Sequence, residues 1–355
     1  MRKTTYVPGI RVLVLILSAA ALIYSPSLLA DGGANHQIRN LHFGVSGGNV
    51  GDITKRFCCS GTLGALVSDG TKEYILSNNH VLARSDQATV GEDISQPGLI
   101  DVGCQASSAT IVADFTRAVT LGQNVDCAIA ELRSGQMDSS GFIEDIGVPS
   151  STPASPSVGL GVAKSGRTTG FTTGSIASIN TSVNVQYQQN CGSGKKFVIS
   201  YTNQVVINSN TFSAGGDSGS LIVTNNSAHQ PVALLFAGSS TTTIGNPISE
   251  VLNKLGVSFS LPTGHHAAIE SLTQEPATGP TIERIESATN AMRKREVDLM
   301  SRAGVFGVGV GSDDNSTDAT IVVYIDVNYA GTERLPRRID GFRVKRIYTE
   351  PIVAY

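Results

Sequence analysis

Short apolar runs separated by turn residues dominate the chain between residues 41 and 260. Each run is a few residues long, rich in Val, Ile, Leu and Ala, and bounded by Gly, Ser, Thr or Asn. This pattern is typical of β-strands joined by short turns. The predicted strands include residues 63–67, 109–113, 175–179, 196–201, 204–207, 220–223 and 232–236. A short helix is predicted over residues 248–255.

Two Pro-rich or Gly-rich segments divide the chain. Residues 147–156 combine Pro and Ser and separate a first β-rich unit, within residues 31–146, from a second one in residues 147–260. Residues 261–280 form a second predicted linker.

The pattern after this linker is different. Several apolar residues approach helical spacing among many charges: Ile282, Ile285, Ala288, Met292 and Val297. Apolar runs at residues 305–310, 319–327 and 342–348 then predict strands. We therefore expect a small β-α-β-like α+β module in residues 281–355. Whether it contacts the rest of the chain, and whether as an inhibitor, a folding aid, a substrate adaptor or a stabilising appendage, stays open.

The first 30 residues are typical of an export signal. Arg2, Lys3 and Arg11 precede or enter an apolar run over residues 12–23, and the small residue Ala30 precedes the expected cleavage. The apolar run is shorter than a comfortable membrane span, so an uncleaved anchor is the less favoured alternative. We predict a secreted or periplasmic protein that has no membrane association after cleavage.

Composition agrees with an exported, β-rich protein. Of the 355 residues, 40% are hydrophobic, 15% are charged and 38 are Gly, which suits many short strands and turns. A net charge of −3 gives no electrostatic footprint for nucleic acid. The length predicts two or three domains.

Five cysteines in an exported chain predict two disulfides and one remaining thiol. They are Cys58, Cys59, Cys104, Cys127 and Cys191. Their pairing is not readable from spacing, although adjacent Cys58 and Cys59 alternate faces of a strand. A zinc site is the alternative, but neither CxxC nor His-rich spacing supports it, and we expect no metal.

The strongest chemical signal is Ala-Gly-Gly-Asp-Ser-Gly-Ser at residues 214–220. Glycines at 216 and 219 allow a tight turn that presents Ser218 as a nucleophile. In such a loop the backbone amides of Gly216 and Ser218 point at one developing oxyanion. Half of an acyl-transfer site is therefore predicted here.

A base and its orienting carboxylate are the other half. His80 follows an apolar strand ending, whereas the other histidines lie near the mature start, in a polar loop or in the second linker. Asp126 lies in an apolar run where it would be buried and would fix the imidazole tautomer. The order His80, Asp126, Ser218 is one of the known chain orders of a Ser-His-Asp triad.

Three segments in this order resemble the trypsin/chymotrypsin-like serine proteases over roughly residues 43–260. Residues 59–64 are similar to the strand before the histidine, and residues 216–219 to the nucleophile loop. Residues 163–174 are similar to the opening of the second barrel in bacterial streptogrisin-type and plant Narrow-leaf-type enzymes. The resemblance implies a chymotrypsin-like double β-barrel and an endopeptidase acting on polypeptides, without a cofactor.

The resemblance also assigns supporting residues. The walls of a primary substrate pocket would be uncharged: Phe212, Ser213 and Ala214 on one side, and Phe236, Ala237 and Gly238 on the other. Asp217 needs a cation, because the chain has no Ile-Val-Gly-Gly start of the kind freed in animal zymogens. We predict that Lys164 pairs with Asp217, with Arg167 as the second candidate.

One departure from the family concerns cysteine. Val81 stands where many relatives have the cysteine that follows the catalytic histidine, so Cys59 lacks its usual partner.

The alternative function is a binding protein on a protease scaffold, or a latent enzyme occluded by its C-terminal domain. The physiological substrate, the cleavage specificity, the oligomeric state and the role of that domain stay open on the sequence alone.

Overall fold

The computed structural model describes residues 34–259, 279–313, 317–331 and 334–355. The predicted signal peptide and residues 261–278 of the predicted second linker lie outside this range. Short 3-10 helices occur at Ala34–Gln37, Leu99–Val102, Ala106–Ser108 and Val327–Tyr329.

Seven antiparallel strands build a first β-barrel. They are β1 (Val45–Asn49), β2 (Gly61–Leu63), β3 (Ala65–Ser68), β4 (Glu73–Ser77), β5 (Asp93–Gln96), β6 (Thr110–Ala118) and β7 (Ala128–Leu132). Their order is β2-β1-β5-β6-β7-β4-β3. Since only Gly64 separates β2 from β3, the two edge strands are halves of one bent strand and the barrel closes.

Gly64 marks the place where the first barrel touches the loop that carries Ser218. A Cβ at position 64 would overlap the carbonyl oxygen of Gly219. Thr62 N donates a hydrogen bond to the carbonyl of Ser218, 2.7 Å away. The bend therefore needs glycine, because the two backbones approach each other closely.

A second barrel is closed by a continuous ladder of six strands. They are β8 (Gly161–Gly166), β9 (Gly170–Asn190), β10 (Ser193–Asn208), β11 (Leu221–Thr224), β12 (Pro231–Gly238) and β13 (Thr242–Pro247). The ladder runs β9-β10-β13-β12-β11-β8 and returns to β9. The predicted double-barrel, mainly β fold is confirmed.

The helices after the first strands are short. Helix α1 (Asn79–Leu82) follows β4, and α2 (Ile248–Leu255) follows β13 with the bounds that the sequence predicts. The left-handed Gly256 ends α2, as is usual at a helix C-terminus.

Two of the predicted strands were too short. Residues 175–179 belong to the 21-residue β9, and residues 196–201 and 204–207 form one 16-residue β10. The two strands pair along most of their length as a long hairpin, with several register shifts that bend it. Polar residues along the hairpin interrupt the apolar alternation by which strands are recognised.

The described residues of the C-terminal region, from residue 279 onwards, contain two α-helices and five strands: α3 (Ile282–Arg293), α4 (Glu296–Met300), β14 (Val305–Ser312), β15 (Ala319–Asp326), β16 (Arg338–Ile339), β17 (Phe342–Thr349) and β18 (Val353–Ala354). The expected β-α-β-like order is wrong, because both helices precede the strands. Strand β14 pairs with β9, so this region extends the sheet of the second barrel.

The apolar set predicted for the first helix is only partly buried. Ile285, Ala288 and Met292 face the sheet, whereas Ile282 is 75% exposed and Val297 is 85% exposed. Helix α3 ends at Arg293 and α4 begins at Glu296. This break changes the helical phase, so Val297 does not continue the buried stripe.

Two disulfides and one thiol are present among the described residues. Cys58 pairs with Cys104 within the first barrel, and Cys59 pairs with Cys191 at the turn between β9 and β10. Cys127 is a buried thiol whose pKa is raised well above its usual range, chiefly by burial. The count predicted from the sequence is confirmed, and Cys59 joins the first barrel to the long hairpin.

Candidate active site

His80 and Asp126 meet between the two barrels. Strand β4 ends at Ser77, and the chain turns into α1, which carries His80. Its Nδ1 lies 2.6 Å from Oδ2 of Asp126, and its backbone amide donates to Oδ1 at 3.2 Å. Asn78 fixes the other side by donating to the Asp126 carbonyl at 2.7 Å. Nδ1 is therefore held on a fully buried carboxylate.

Two tyrosines of the long hairpin support this carboxylate and were not predicted. The Tyr187 hydroxyl donates to Asp126 Oδ2 at 2.8 Å, and the hydroxyls of Tyr187 and Tyr201 lie 2.6 Å apart. Asp126 N donates to Oδ1 of Asn246 at 2.9 Å. These hydrogen bonds fix the orientation of Asp126. The signal in the sequence was weak: a tyrosine in each of two facing strands.

The environment of His80 favours its protonated form. Burial lowers the pKa of His80, but the charge and hydrogen bond of Asp126 outweigh it, and the carbonyl of Tyr355 and the charge of Asp52 act in the same direction. The net shift is upward from 6.5. Burial in turn raises the pKa of Asp52 to about 6, against the opposing charges of His80 and Arg84.

Ser218 lies on the predicted tight loop. Gly216 and Gly219 adopt φ values of +96° and +95°, a region that strongly favours glycine. Ser218 Oγ donates to the carbonyl of Phe236 at 3.1 Å. Within the described residues, its hydrogen bond goes to this carbonyl and not to His80.

The backbone amides of the loop differ in whether they form hydrogen bonds. The N–H of Asp217 bonds to Ala214, and that of Gly219 bonds to Leu235. The amides of Gly216 and Ser218 carry no hydrogen bond to any residue that the structure describes. Two backbone donors of this loop are therefore unpaired within the described residues.

Asp217 is buried beside Lys164. Lys164 Nζ lies 3.6 Å from Asp217 Oδ2, and both side chains are inaccessible to solvent. The ammonium also donates to the Gly170 carbonyl at 2.8 Å and to Thr169 Oγ1. Burial lowers the pKa of Lys164, and Asp217 opposes that shift. The structure thus brings together the two residues of the predicted ion pair.

Hydrogen bonds complete the surroundings of Asp217. Its carboxylate accepts from the amides of Thr168, Thr169 and Ala214 at 2.8, 3.1 and 2.9 Å, and from Thr169 Oγ1 at 2.7 Å. These contacts connect the strand that carries Lys164 to the loop that carries Ser218.

Arg167, the second candidate, has another partner. It forms a two-pronged ion pair with Asp101, with Nε to Oδ2 at 2.8 Å and Nη2 to Oδ1 at 2.5 Å. Its Nη1 donates to Thr168 Oγ1, which in turn donates to the Gly215 carbonyl. Arg167 therefore connects Asp101 of the first barrel to the Ser218 loop through Thr168.

Of the six residues of the predicted pocket, Phe236 accepts a hydrogen bond from Ser218, and Ala237 and Gly238 pair with Ala354 and Val353. Phe212, Phe236, Ala237 and Gly238 are buried, Ser213 is nearly so, and Ala214 is partly exposed. The ring of Tyr355 lies against Gly238, and its hydroxyl donates to the Ser239 carbonyl at 2.9 Å. The carbonyl oxygen of Tyr355 is 2.9 Å from His80 Nε2.

Among the residues described, no group of three or more His, Cys, Asp or Glu side chains is placed to hold a metal ion. In the same part of the chain, no helix is long and apolar enough to cross a membrane.

The histidine-carboxylate pair and the serine loop therefore lie close together where the two β-barrels meet, an arrangement found in chymotrypsin-like hydrolases. Solved structures similar to this chain include such enzymes. A glutamic acid-specific serine protease that uses a histidine triad in substrate binding is 21% identical, with a TM-score of 0.44 over 61% of this chain and 99% of that one.

Two further similar structures come from named bacteria. Thermobifida fusca protease A is 17% identical, with a TM-score of 0.42, and Cellulomonas bogoriensis chymotrypsin is 16% identical, with a TM-score of 0.41. Each covers 62% of this chain and 99% of its own. No protein-family profile and no curated protein matches the sequence. Since these identities and TM-scores are low, the likeness does not by itself define a function.

Proposed function

We propose that the protein is a serine endopeptidase that hydrolyses peptide bonds through an acyl-enzyme on Ser218. One observation carries the proposal. A buried Asp126 holds Nδ1 of His80, and the main chain of Tyr355 contacts both His80 Nε2 and the Phe236 carbonyl that accepts from Ser218 Oγ, so the histidine lies near the serine of a glycine-bounded loop that carries two unbonded amides. A nucleophile, a base with its orienting acid, and donors for an oxyanion are the parts that acyl transfer needs.

The proposed reaction begins when the Ser218 hydroxyl turns from the Phe236 carbonyl towards His80 Nε2. Ser218 Oγ attacks the peptide carbonyl carbon, and its proton passes to Nε2. The amides of Gly216 and Ser218 donate to the oxyanion of the tetrahedral intermediate. When the C–N bond breaks, His80 returns the proton to the leaving amine, and the acyl group stays on Ser218.

Hydrolysis of the acyl-enzyme reverses the roles. A water molecule enters in place of the amine, gives a proton to His80 and attacks the ester carbonyl. The second tetrahedral intermediate then breaks its C–O bond to Ser218, His80 returns the proton to Ser218 Oγ, and the carboxylic acid leaves. Asp126 stays ionised throughout and stabilises the imidazolium that forms in each half.

We further propose that the protein acts outside the cytoplasm. The predicted export signal and the two disulfides support an oxidising compartment.

A fluorophosphonate probe tests the function directly. We expect the unmodified chain to be labelled at Ser218, as identified by peptide mass spectrometry, because the probe reacts only with an activated serine. Ser218→Ala should remove the label, whereas Ser227→Ala, in an exposed turn, should not. Tyr355→Ala, which removes the side chain that lies against Gly238, should also be labelled. If neither the unmodified chain nor Tyr355→Ala is labelled, the proposed function is wrong.

The pH profile of kcat/KM provides a separate prediction. Only neutral His80 accepts the proton of Ser218, so activity should rise with pH and its midpoint should lie above 6.5, the ordinary pKa of histidine. Asp52→Asn should lower the midpoint, since the Asp52 charge is one cause of the raised pKa of His80. Steady-state kinetics across pH checks both. A midpoint below 6.5 would contradict the assignment of His80 as the base.

A further inference from the structure

Residues 349–355 lie against strands β9 and β12 of the second barrel, beside the candidate active site. The segment is anchored at its start, where Thr349 Oγ1 lies 2.6 Å from Ser239 Oγ, and Ser240 Oγ donates to Glu350 at 2.7 Å. Ile352 is buried, and its carbonyl accepts a hydrogen bond from Gln186 N at 2.9 Å. The segment therefore reaches the groove in an extended, well-bonded conformation.

From there the segment adds a strand to the barrel. Strand β18 pairs antiparallel with β12, with Val353 opposite Gly238 and Ala354 opposite Ala237. Tyr355 N is 3.5 Å from the Phe236 carbonyl. Addition of an extended peptide to a sheet edge is a common way of binding peptides through their main chain.

The main chain of Tyr355 also lies beside the proposed nucleophile, Ser218, and the proposed base, His80. The Phe236 carbonyl that faces Tyr355 N is the one that accepts from Ser218 Oγ. The Tyr355 carbonyl oxygen lies at His80 Nε2. The main chain of Tyr355 is thus held between the nucleophile and the base.

The Tyr355 side chain shows what the pocket accepts. Its hydroxyl donates to the Ser239 carbonyl, and any side chain at Gly238 would overlap this hydroxyl. Burial raises the pKa of Tyr355 to about 12, against a hydrogen bond with Ser213. A phenol fits this end of the pocket because it carries one donor for one carbonyl and an apolar ring for the walls.

We propose that residues 352–355 occupy the acyl side of the substrate cleft, with Tyr355 at the position of the residue before the cleaved bond. The Tyr355 carbonyl oxygen lies at His80 Nε2 and not at the Gly216 and Ser218 amides, so the segment blocks the site without being poised for attack. The pocket accordingly selects tyrosine, then phenylalanine, and the segment competes with substrate within the same chain. This inference rests on the proposed peptidase function. A carboxylate side chain would face the Ser239 carbonyl with like polarity, and a cation would lose hydration without gaining a counter-ion.

Specificity is tested with chromogenic amides of acetyl-Ile-Val-Ala-Xaa, in which Xaa, at the position of Tyr355, is Tyr, Phe, Arg or Glu. We expect kcat/KM to be highest for Tyr and slightly lower for Phe. For Arg and Glu it should be lower by about 100-fold or more, because neither charged side chain is compensated in this pocket. The unmodified chain and Tyr355→Ala should show the same order. A preference for Arg or Glu would overturn the pocket assignment.

Competition within the chain is tested with Tyr355→Ala. A tethered segment has an effective concentration of about millimolar, so its loss should raise kcat/KM about tenfold or more, mainly through KM. Tyr355→Phe should stay near the unmodified chain, since only the bond to Ser239 is lost. Val297→Ala, at an exposed site on α4, is the control for the C-terminal region. Equal kcat/KM in all four proteins would overturn the competition.

A binding measurement separates this inference from the proposed function. By calorimetry, the peptide Pro-Ile-Val-Ala-Tyr should bind Tyr355→Ala, and the same peptide ending in Ala should not. Absence of binding would refute the inference even if the enzyme is active. If the peptide binds but no variant is labelled by the fluorophosphonate or hydrolyses a substrate, the placement of residues 352–355 is supported and the proposed peptidase function is refuted.

Discussion

Replacing Ser218 by alanine should lower kcat for peptide hydrolysis by about 10⁴-fold to 10⁶-fold, the loss usual for triad members. The substitution removes one oxygen and its bond to Phe236, while the loop stays held by Asp217 and its partners. The unfolding free energy should therefore change little. Steady-state kinetics and denaturant titration measure the two effects separately.

His80→Ala should cause nearly the same loss, and Ser218→Ala/His80→Ala should be little worse than either alone. Residues that act as a unit are strongly non-additive, because the base has no role without its nucleophile. Gln87→Ala, in an exposed turn after α1, is a suitable control. Retention of most activity by Ser218→Ala would exclude the proposed mechanism.

Replacing Lys164 by methionine should lower the unfolding free energy by about 3–5 kcal/mol, since it leaves a buried carboxylate without its cation. The Gly170 carbonyl would also lose its bond to the ammonium. Because Asp217 holds the Ser218 loop, the labelling rate of Ser218 should fall as well. Denaturant titration and probe kinetics on the same preparation provide the measurements.

Lys72→Met is the matched control. Lys72 pairs with Glu131, but both side chains are largely exposed, at 54% and 39%. Exposed ion pairs contribute little to the free energy of unfolding, so the same substitution should have little effect there. A comparably small cost at Lys164 would mean that the hydrogen bonds to Asp217 are sufficient, and that the ion pair does not hold the loop.

Sequence patterns predicted α2 and the approximate positions of most strands, and the resemblance to chymotrypsin-like proteases implied the double barrel. They succeeded where a pattern is local, as in the glycine-bounded loop around Ser218. The positions of His80 and Asp126 could be proposed because an apolar run before or around a polar residue predicts burial at a strand end. The structure places these two side chains in contact.

Other parts depend on contacts between distant segments and leave little local signal. Tyr187 supports Asp126, and meets Tyr201 of β10, only because β9 extends well beyond its predicted stretch. Cys59 reaches Cys191, 132 residues away, across the same hairpin. The placement of Tyr355 depends on a strand pairing that two residues, Val353 and Ala354, form with β12.

The pairing of β14 with β9 affects how the molecule can open. Backbone hydrogen bonds join these strands, so the C-terminal region cannot swing away as a hinged body without breaking a ladder inside the sheet. Local opening should therefore peel residues 350–355 and leave β14 and β15 in place. In native-state hydrogen exchange, amides of β14 should be protected to the level of the barrels, while those around β18 should exchange sooner.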